Sequence, residues 1–592
     1  MFKKVIPILF IGYLFSQTTG KISGSVTDRK NVEPLPGVNI YLENTSFGTA
    51  SDANGNFTII NIPPGKYTLK ADMIGYKSVK LERMNISVNR TVSLKIEMDE
   101  TVLEGEVVTV EVSRVAQKKD QTGTIKNISG DEINALPVES VGSVINMQAG
   151  VVNGHFRGGR NTEVTYMIDG VQVDETFGGN SAAVEIQPEA VQDLEVITGT
   201  FNAEYGRAMS GVVNVVTRDG GPKFEGFAST GLSFFQTPNT DIFIGLSPEL
   251  NRSQDLKFSL GGPLLGDKIT FFTNIRVQDN RGHLNGYRMF SVIDTSNFYS
   301  DDPSDWASSK SGDSSYVPMN TGENLSALFK LSFNLLDGIR FSLLHSKSDD
   351  SWFGYDHGFK YNPDGRAGSY KETNYTSFQL NHMINPKLFY ELKVSYLDNY
   401  TGNYLFKDPF DHIIADTAGI YQDGNVHEIG DTVYSYIHDK YLENYGSGFF
   451  TGGQQKNHSM LTMLDKTIKF DLNWQANHNH NIKLGLLGIS HDVDQQWHAI
   501  RNKYDGEANL ADVYEPEIFG DTTVYADLYK VAPQEGAAYL QDKMEFDNMV
   551  VNVGLRYDVF DPASVYPSNR RNPSNQLLYK DTSGVLIDSL MS

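Results

Sequence analysis

The sequence predicts a mainly β chain in three parts: an N-terminal β-sandwich, an α/β module, and part of an antiparallel transmembrane β-barrel, about eleven strands of it. Three observations predict this. Beyond Lys223, apolar and polar residues alternate in segment after segment, which places them on opposite faces of strands. The connections between those segments alternate between short and long, as they do in a barrel that crosses a membrane. Before Asp99, short apolar runs are punctuated by Gly, Pro and Asn at the spacing of a small sandwich.

Composition agrees. The 592 residues are too many for one ordinary domain. Fifty-four glycines and 11% aromatic residues suit strands and tight turns. After the first twenty residues no apolar run approaches the roughly 18 that a spanning helix needs. A helix bundle in the membrane is therefore excluded, whereas a barrel is not, because its strands alternate. Residues 1–16 read as a signal peptide, with Lys3 and Lys4 ahead of the apolar run Val5–Phe15 and a cut near Ser16. There are no cysteines, so an N-terminal lipid anchor, disulfides and thiolate metal sites are out. A net charge of −23 argues against nucleic acid as a partner.

In the first part, residues 20–99, the runs Ile22–Val26, Val38–Leu42, Phe57–Ile62 and Tyr67–Ala71 read as strands. Asp52-Ala-Asn54-Gly55-Asn56 reads as a hairpin turn; the acidic residue that closes a calcium loop is missing. Residues 100–123 read as a linker. Within it the valine-rich string around Glu106, Val107, Val108, Thr109 and Val110 reads as an edge strand or extended segment, a template for strand addition.

The α/β module spans residues 124–218. A helix is expected from Asp131, as N-cap, towards Gly150, interrupted or restarted at Pro137. Strands are expected at Val164–Asp169, Leu194–Thr198 and Val212–Thr217, with a hairpin at Asp169-Gly170. Residues 223–592 carry the barrel strands. Leu325, Ala327, Phe329, Leu331, Phe333 and Leu335 lie on one face, and the mostly polar set Asn324, Ser326, Leu328, Lys330, Ser332 and Asn334 on the other. The pattern returns at Ile269–Gln278, Leu388–Tyr396, Ile468–Trp474 and Val551–Tyr557. Tight turns fall at Asp337-Gly338, Pro386-Lys387, Ala476–Asn481 and Asp547-Asn548, and long loops at 282–323, 350–373, 402–461 and 495–535.

No catalytic residues are found. The sequence lacks a His-Glu-x-x-His zinc helix, a Gly-x-Ser-x-Gly elbow, a phosphate-cradling loop and a cysteine nucleophile, so neither an enzyme nor a cofactor is indicated. His478 and His480 sit in an expected turn and are read as solvated, not as metal ligands.

Family resemblance gives these parts roles. Gly24–Asp28, Pro34–Ile40, Gly48–Phe57 and Ile62–Leu69 resemble the carboxypeptidase regulatory-like domain, a non-catalytic sandwich. Arg157-Gly158-Gly159 with Ile168-Asp169-Gly170 resembles the first plug motif of TonB-dependent receptors. Leu194-Glu195-Val196, Tyr205-Gly206 and Gly211-Val-Val-Asn214-Val-Val-Thr217 resemble the second. On this resemblance the string at Glu106–Val110 is the TonB-box candidate, which pairs with a TonB-type energy-coupling complex in the inner membrane. The family implies a receptor in the outer membrane of a Gram-negative bacterium of the Bacteroidetes-like type. Its barrel contacts outer-membrane lipid, and its plug rearranges to import a small-molecule, sugar or peptide ligand. The alternative on the same scaffold is a surface receptor or adhesion protein that imports nothing. Plugged transporters have about 22 strands, so the chain is expected to be a fragment lacking about half the barrel.

Overall fold

The computed structural model describes residues 19–101, 107–111, 123–175, 182–246, 248–306, 309–413, 433–441, 448–510, 514–521, 523–546, 549–563, 579–580 and 586–587. The signal-peptide reading, Glu106, the Asp547-Asn548 turn and much of the long loop 402–461 lie outside them.

The first part is a two-sheet sandwich. Its strands are β1 (Gly20–Asp28), β2 (Asn39–Leu42), β3 (Gly48–Ala50), β4 (Asn56–Ile62), β5 (Gly65–Asp72), β6 (Ser78–Ile86), β7 (Thr91–Met98) and β8 (Val107–Glu111). One sheet has the order β4-β1-β7, the other β3-β2-β5-β6-β8. Ile22, Val26, Ile40, Leu42, Phe57, Ile62 and Leu69 fill the space between them. The Asp52–Asn56 segment is a turn, with the Asp52 Oδ1 accepting from the backbone N–H groups of Asn54 and Asn56, both at 2.9 Å. The valine-rich string forms β8. It runs parallel to β6, Val107 opposite Ser78 and Glu111 opposite Glu82, at the sheet's edge.

The second part is a five-stranded sheet with two short helices. Its elements are β9 (Ile125–Ser129), α1 (Gly130–Asn134), α2 (Val141–Asn146), the small hairpin β10 (Val151–Val152) and β11 (His155–Phe156), β12 (Val164–Ile168), β13 (Val171–Gln172), β14 (Val191–Ile197) and β15 (Gly211–Thr217). The sheet order is β13-β12-β15-β14-β9, with β12 and β15 parallel. Asp131 is not the helix N-cap: Ser129 is, in a reciprocal capping box with Glu132. The helix ends before Pro137 and a second begins after Ser140, whose side chain accepts from the Ser143 N–H. The expected interruption at proline is therefore two separate helices.

The third part is one antiparallel sheet. Its strands are β16 (Glu225–Ser233), β17 (Ser253–Leu265) and β18 (Ile269–Asn280), then, after a loop hairpin of β19 (Asn285–Tyr287) and β20 (Tyr316–Pro318), β21 (Thr321–Leu336), β22 (Ile339–Phe353), β23 (Gly368–Asn385) and β24 (Leu388–Tyr404). A second loop hairpin, β25 (His412–Ile413) and β26 (Val433–Tyr434), precedes β27 (Asn457–Gln475) and β28 (His480–Ala499). A third, β29 (Arg501–Asn502) and β30 (Pro516–Glu517), precedes β31 (Ala526–Val531), β32 (Gln534–Phe546) and β33 (Met549–Asp561). The order runs from β16 to β33 with β31 paired beside β28, twelve strands in all, and among the described residues it does not close.

The sheet is inside-out relative to a soluble sandwich. Leu325, Phe329, Leu343, Val394, Ile468 and Leu540 are exposed on one face. Their neighbours Ser326, Lys330, Leu344, Lys393, Lys469 and Gln541 are buried on the other. An apolar outer surface around a polar, occupied interior is the signature of a membrane barrel. The α/β module fills the inner face: Phe272, Leu328, Leu344, Tyr375 and Leu397 of the sheet join Val144, Phe156, Leu194 and Val213 in one core.

Candidate functional site

The site grows from the Asp169-Gly170 turn. A two-residue hairpin of type I′ needs positive φ at both positions, and Asp169 (φ 48) and Gly170 (φ 77) supply it between β12 and β13. Residues from the second motif hold the turn in place. The Thr217 N–H (2.8 Å) and hydroxyl (2.7 Å) donate to the Asp169 carboxylate. The Gly170 N–H donates to Asn214 Oδ1 at 3.1 Å. The two sequence motifs are therefore the two halves of one hydrogen-bonded unit.

Three lysines from the barrel sheet close on that turn. Lys330 of β21 donates to Asp169 Oδ2 at 3.2 Å and to the Thr217 hydroxyl at 2.9 Å, and pairs with Asp219 at 3.2 Å. Lys393 of β24 donates to the Asp169 carbonyl at 2.8 Å, and Lys469 of β27 to the Gly170 carbonyl at 3.0 Å. All three are buried. Lys393 lies opposite Lys469 in the β24–β27 register. Glu391 sits 3.2 Å from the Lys393 ammonium, so the clamp carries its own counter-charge. A buried cation persists only when paired and fully hydrogen-bonded; here the plug-like turn itself provides the acceptors.

A second contact lies lower on the module. Lys483 of β28 pairs with Glu204 at 3.1 Å, both buried. Burial opposes the charge on Glu204, but Lys483 beside it holds the carboxyl below its ordinary range. Tyr205 donates to Glu195 Oε2 at 3.4 Å. The Gly206 carbonyl accepts from the Thr165 hydroxyl at 3.3 Å. Gly211 is required sterically, since a Cβ there would stand 2.4 Å from the ring of the buried Phe156. Arg157, with φ 49, reaches the Thr124 hydroxyl at 2.7 Å, and Gly158 and Gly159 complete the bend around it.

Burial drives two carboxyls of β14 the other way: Asp193 is pushed up to about 7 and Glu195 to about 8. A carboxyl whose folded pKa is raised binds a proton more tightly when folded. Its stabilising effect is present below the ordinary carboxyl range and is lost as pH rises through the folded value. The thermal midpoint of the module should therefore fall between pH 6 and pH 9, and Glu195→Gln should flatten that slope. A midpoint that rises over this range in the native sequence would contradict the assignment.

Between the module and the long-loop halves of β22 and β23 lies a cavity of about 420 Å³, bordered by Tyr166, Met167, Val213, Trp352 and Lys371. Its lining is mostly apolar with a few polar groups, which suits a small ligand. Among the described residues no group of three or more His, Asp or Glu side chains is gathered as for a metal ion. His480 begins β28 and hydrogen-bonds Asp542 at 2.8 Å.

The sequence motifs contain the turn and its partners but not Lys330, Lys393, Lys469 or Lys483. Each reads as one polar residue in an alternating strand. Only the strand register shows that they converge.

Comparison with known proteins gives a consistent pattern. Residues 22–110 match the CarboxypepD_reg-like domain, and residues 117–213 the TonB-dependent Receptor Plug Domain. The chain is 29% identical over 294 residues to the TonB-dependent transporter Oar of Myxococcus xanthus, covering 45% of this chain and 27% of that protein. It is 28% identical over 229 residues to TonB-dependent receptor P3 of Formosa agariphila, covering 36% of this chain and 22% of that one. The match thus spans about a quarter of those relatives' length. The crystal structure of the outer membrane transporter YddB from Escherichia coli superposes with a TM-score of 0.50 at 13% identity, over 74% of this chain and 56% of that one. That likeness is one of fold.

Proposed function

We propose that this chain, a member of the TonB-dependent receptor family with a carboxypeptidase regulatory-like domain ahead of its plug, imports a ligand across the outer membrane by energy-coupled rearrangement of the plug. The observation that carries the reading is the seat of the plug. Its Asp169-Gly170 turn is held by lysines of the barrel's inner face through hydrogen bonds and ion pairs. These polar contacts stand beside the apolar core that the plug shares with the sheet, and hydrogen bonds can be exchanged for water when the plug moves.

On this reading the ligand enters from the long-loop end and occupies the cavity beside Tyr166, Trp352 and Lys371. Its class is a small molecule, sugar or peptide. The coupling segment is Glu106–Val110, of which Val107–Val110 is carried on β8, whose outer edge has no strand partner among the described residues. A free edge accepts a strand from another protein through backbone hydrogen bonds, which suits a TonB-type partner. No side chain is assigned covalent chemistry: the work is mechanical and comes from the inner membrane. The exposed apolar face of the sheet supports a location in outer-membrane lipid.

The test is ligand accumulation in cells with and without the coupling complex. Import should stop when the complex is absent while surface binding persists. Equal accumulation in both would replace the reading with a non-transporting surface receptor.

A further inference from the structure

The turn Ser87–Arg90 joins β6 to β7 at the end of the sandwich that faces the plug. Val88 at its tip is fully buried. Its N–H donates to Asp193 Oδ2 at 3.0 Å, and its carbonyl accepts from Asn127 Nδ2 at 3.3 Å. The next residue, Asn89, has the left-handed φ of 56 that asparagine tolerates better than most side chains. Its amide donates to Glu195 Oε2 at 3.3 Å and to the Tyr205 hydroxyl at 3.1 Å, while its Oδ1 accepts from Lys483 at 3.3 Å. Two of these partners, Glu195 and Tyr205, are residues of the second plug motif. In this fold they face the sandwich and not the ligand cavity.

The sandwich itself is fastened to the barrel sheet at its short-turn end. Lys21 pairs with Glu545, and the Thr91 hydroxyl donates to the same carboxylate at 2.9 Å. Asn61 and Asn381 exchange two amide hydrogen bonds, at 2.7 and 2.8 Å, both residues buried. A domain tied to the wall on one side therefore grips the plug on the other.

Asn127 links this grip to the chain's direction. It lies on β9, the edge strand of the plug sheet, opposite Glu195 of β14. Its amide bonds both the Val88 carbonyl and Asp193, the latter at 3.3 Å. In sequence β9 is the first plug strand after β8. A pull on the segment carrying Val107–Val110 thus reaches the plug first at β9. Peeling an edge strand breaks its pairs one after another, so β9 can be drawn from β14 without first disturbing the strands beyond it. Its departure takes Asn127 from Val88 and Asp193 together.

We propose that the Ser87–Arg90 turn is a latch that holds β14 of the plug closed from the sandwich side, with Asn127 as its release. The regulatory-like domain is then an active clamp on the plug. Its loosening is the first event when the coupling segment is pulled. Only the direction of the pull rests on the proposed function; the latch itself is a property of the resting fold.

Amide hydrogen exchange on the full chain reads the latch without any ligand or uptake. In Asn89→Ala, exchange in Ile125–Ser129 and Val191–Ile197 should rise about tenfold, as expected on losing hydrogen bonds to a buried carboxyl and a lysine. Exchange in β1 and β7 of the sandwich should stay at the native rate. Asn127→Ala, on the plug's own edge, carries the test independently should the first variant fold poorly, and the same rise is expected. Native exchange at β9 and β14 in both variants overturns the latch. So does a rise that extends equally through β1 and β7, which marks general loosening. Equal accumulation with and without the coupling complex would overturn the proposed function but leave this result untouched, so the two proposals fail separately.

Discussion

Lys330→Met should unseat the plug turn and destabilise the chain by about 3–5 kcal/mol, the usual cost of breaking a buried pair by removing one partner. Lys330 stands between two carboxylates, Asp169 at 3.2 Å and Asp219 at 3.2 Å, and also donates to the Thr217 hydroxyl. Methionine preserves most of the side-chain volume, so a cavity is not the cause. What remains is a buried Asp169 carboxylate whose charge is met only by Thr217 and the backbone. Lys330→Met combined with Asp169→Asn should recover part of the loss, because the uncompensated charge is gone while the hairpin's hydrogen bonds survive. Lys66→Met is the control: its pair with Asp131 is exposed on both sides, and such pairs contribute little. Denaturant unfolding of the four proteins checks the set. Equal stability of Lys330→Met and the native chain would show that the lysines do not seat the plug.

Much of the architecture was legible in the sequence because it rests on local rules. Period-two alternation at Leu325–Leu335 needs only strand geometry, and the structure places those residues on the outer face with Lys330 inward. Asp169-Gly170 announces a hairpin because few residue pairs accept two left-handed positions in succession. Pro137 marks a break because proline lacks the N–H that a helix interior requires. The N-cap was misread by two positions, since Asp131 and Ser129 are both good capping residues. The Ser129-x-x-Glu132 spacing of a capping box was the signal that would have decided it.

The rest depends on register and docking, which have no local signature. Lys393 and Lys469 are far apart in the chain and become neighbours only through the β24–β27 pairing. Asn89 sits in an ordinary-looking turn, and nothing in Ser-Val-Asn-Arg indicates that it meets Glu195 and Tyr205. The valines of 107–110 signal a strand but not its partner, and the parallel pairing with β6 is a tertiary choice. Motif resemblance identified Glu195 and Tyr205 as plug residues without showing that they face the sandwich.

On the proposed function, force enters through β8 and acts on the plug. Deleting residues 104–112 removes that handle but none of the residues lining the cavity at Tyr166, Trp352 and Lys371. The clamp on Asp169-Gly170 is also untouched, because Lys330, Lys393 and Lys469 belong to the barrel sheet. Binding and transport should therefore separate. The decisive measurement is ligand binding and ligand accumulation side by side in cells carrying the native chain or the 104–112 deletion. Binding should be undiminished and accumulation abolished; accumulation at the native rate in the deletion would rule out entry of force through β8.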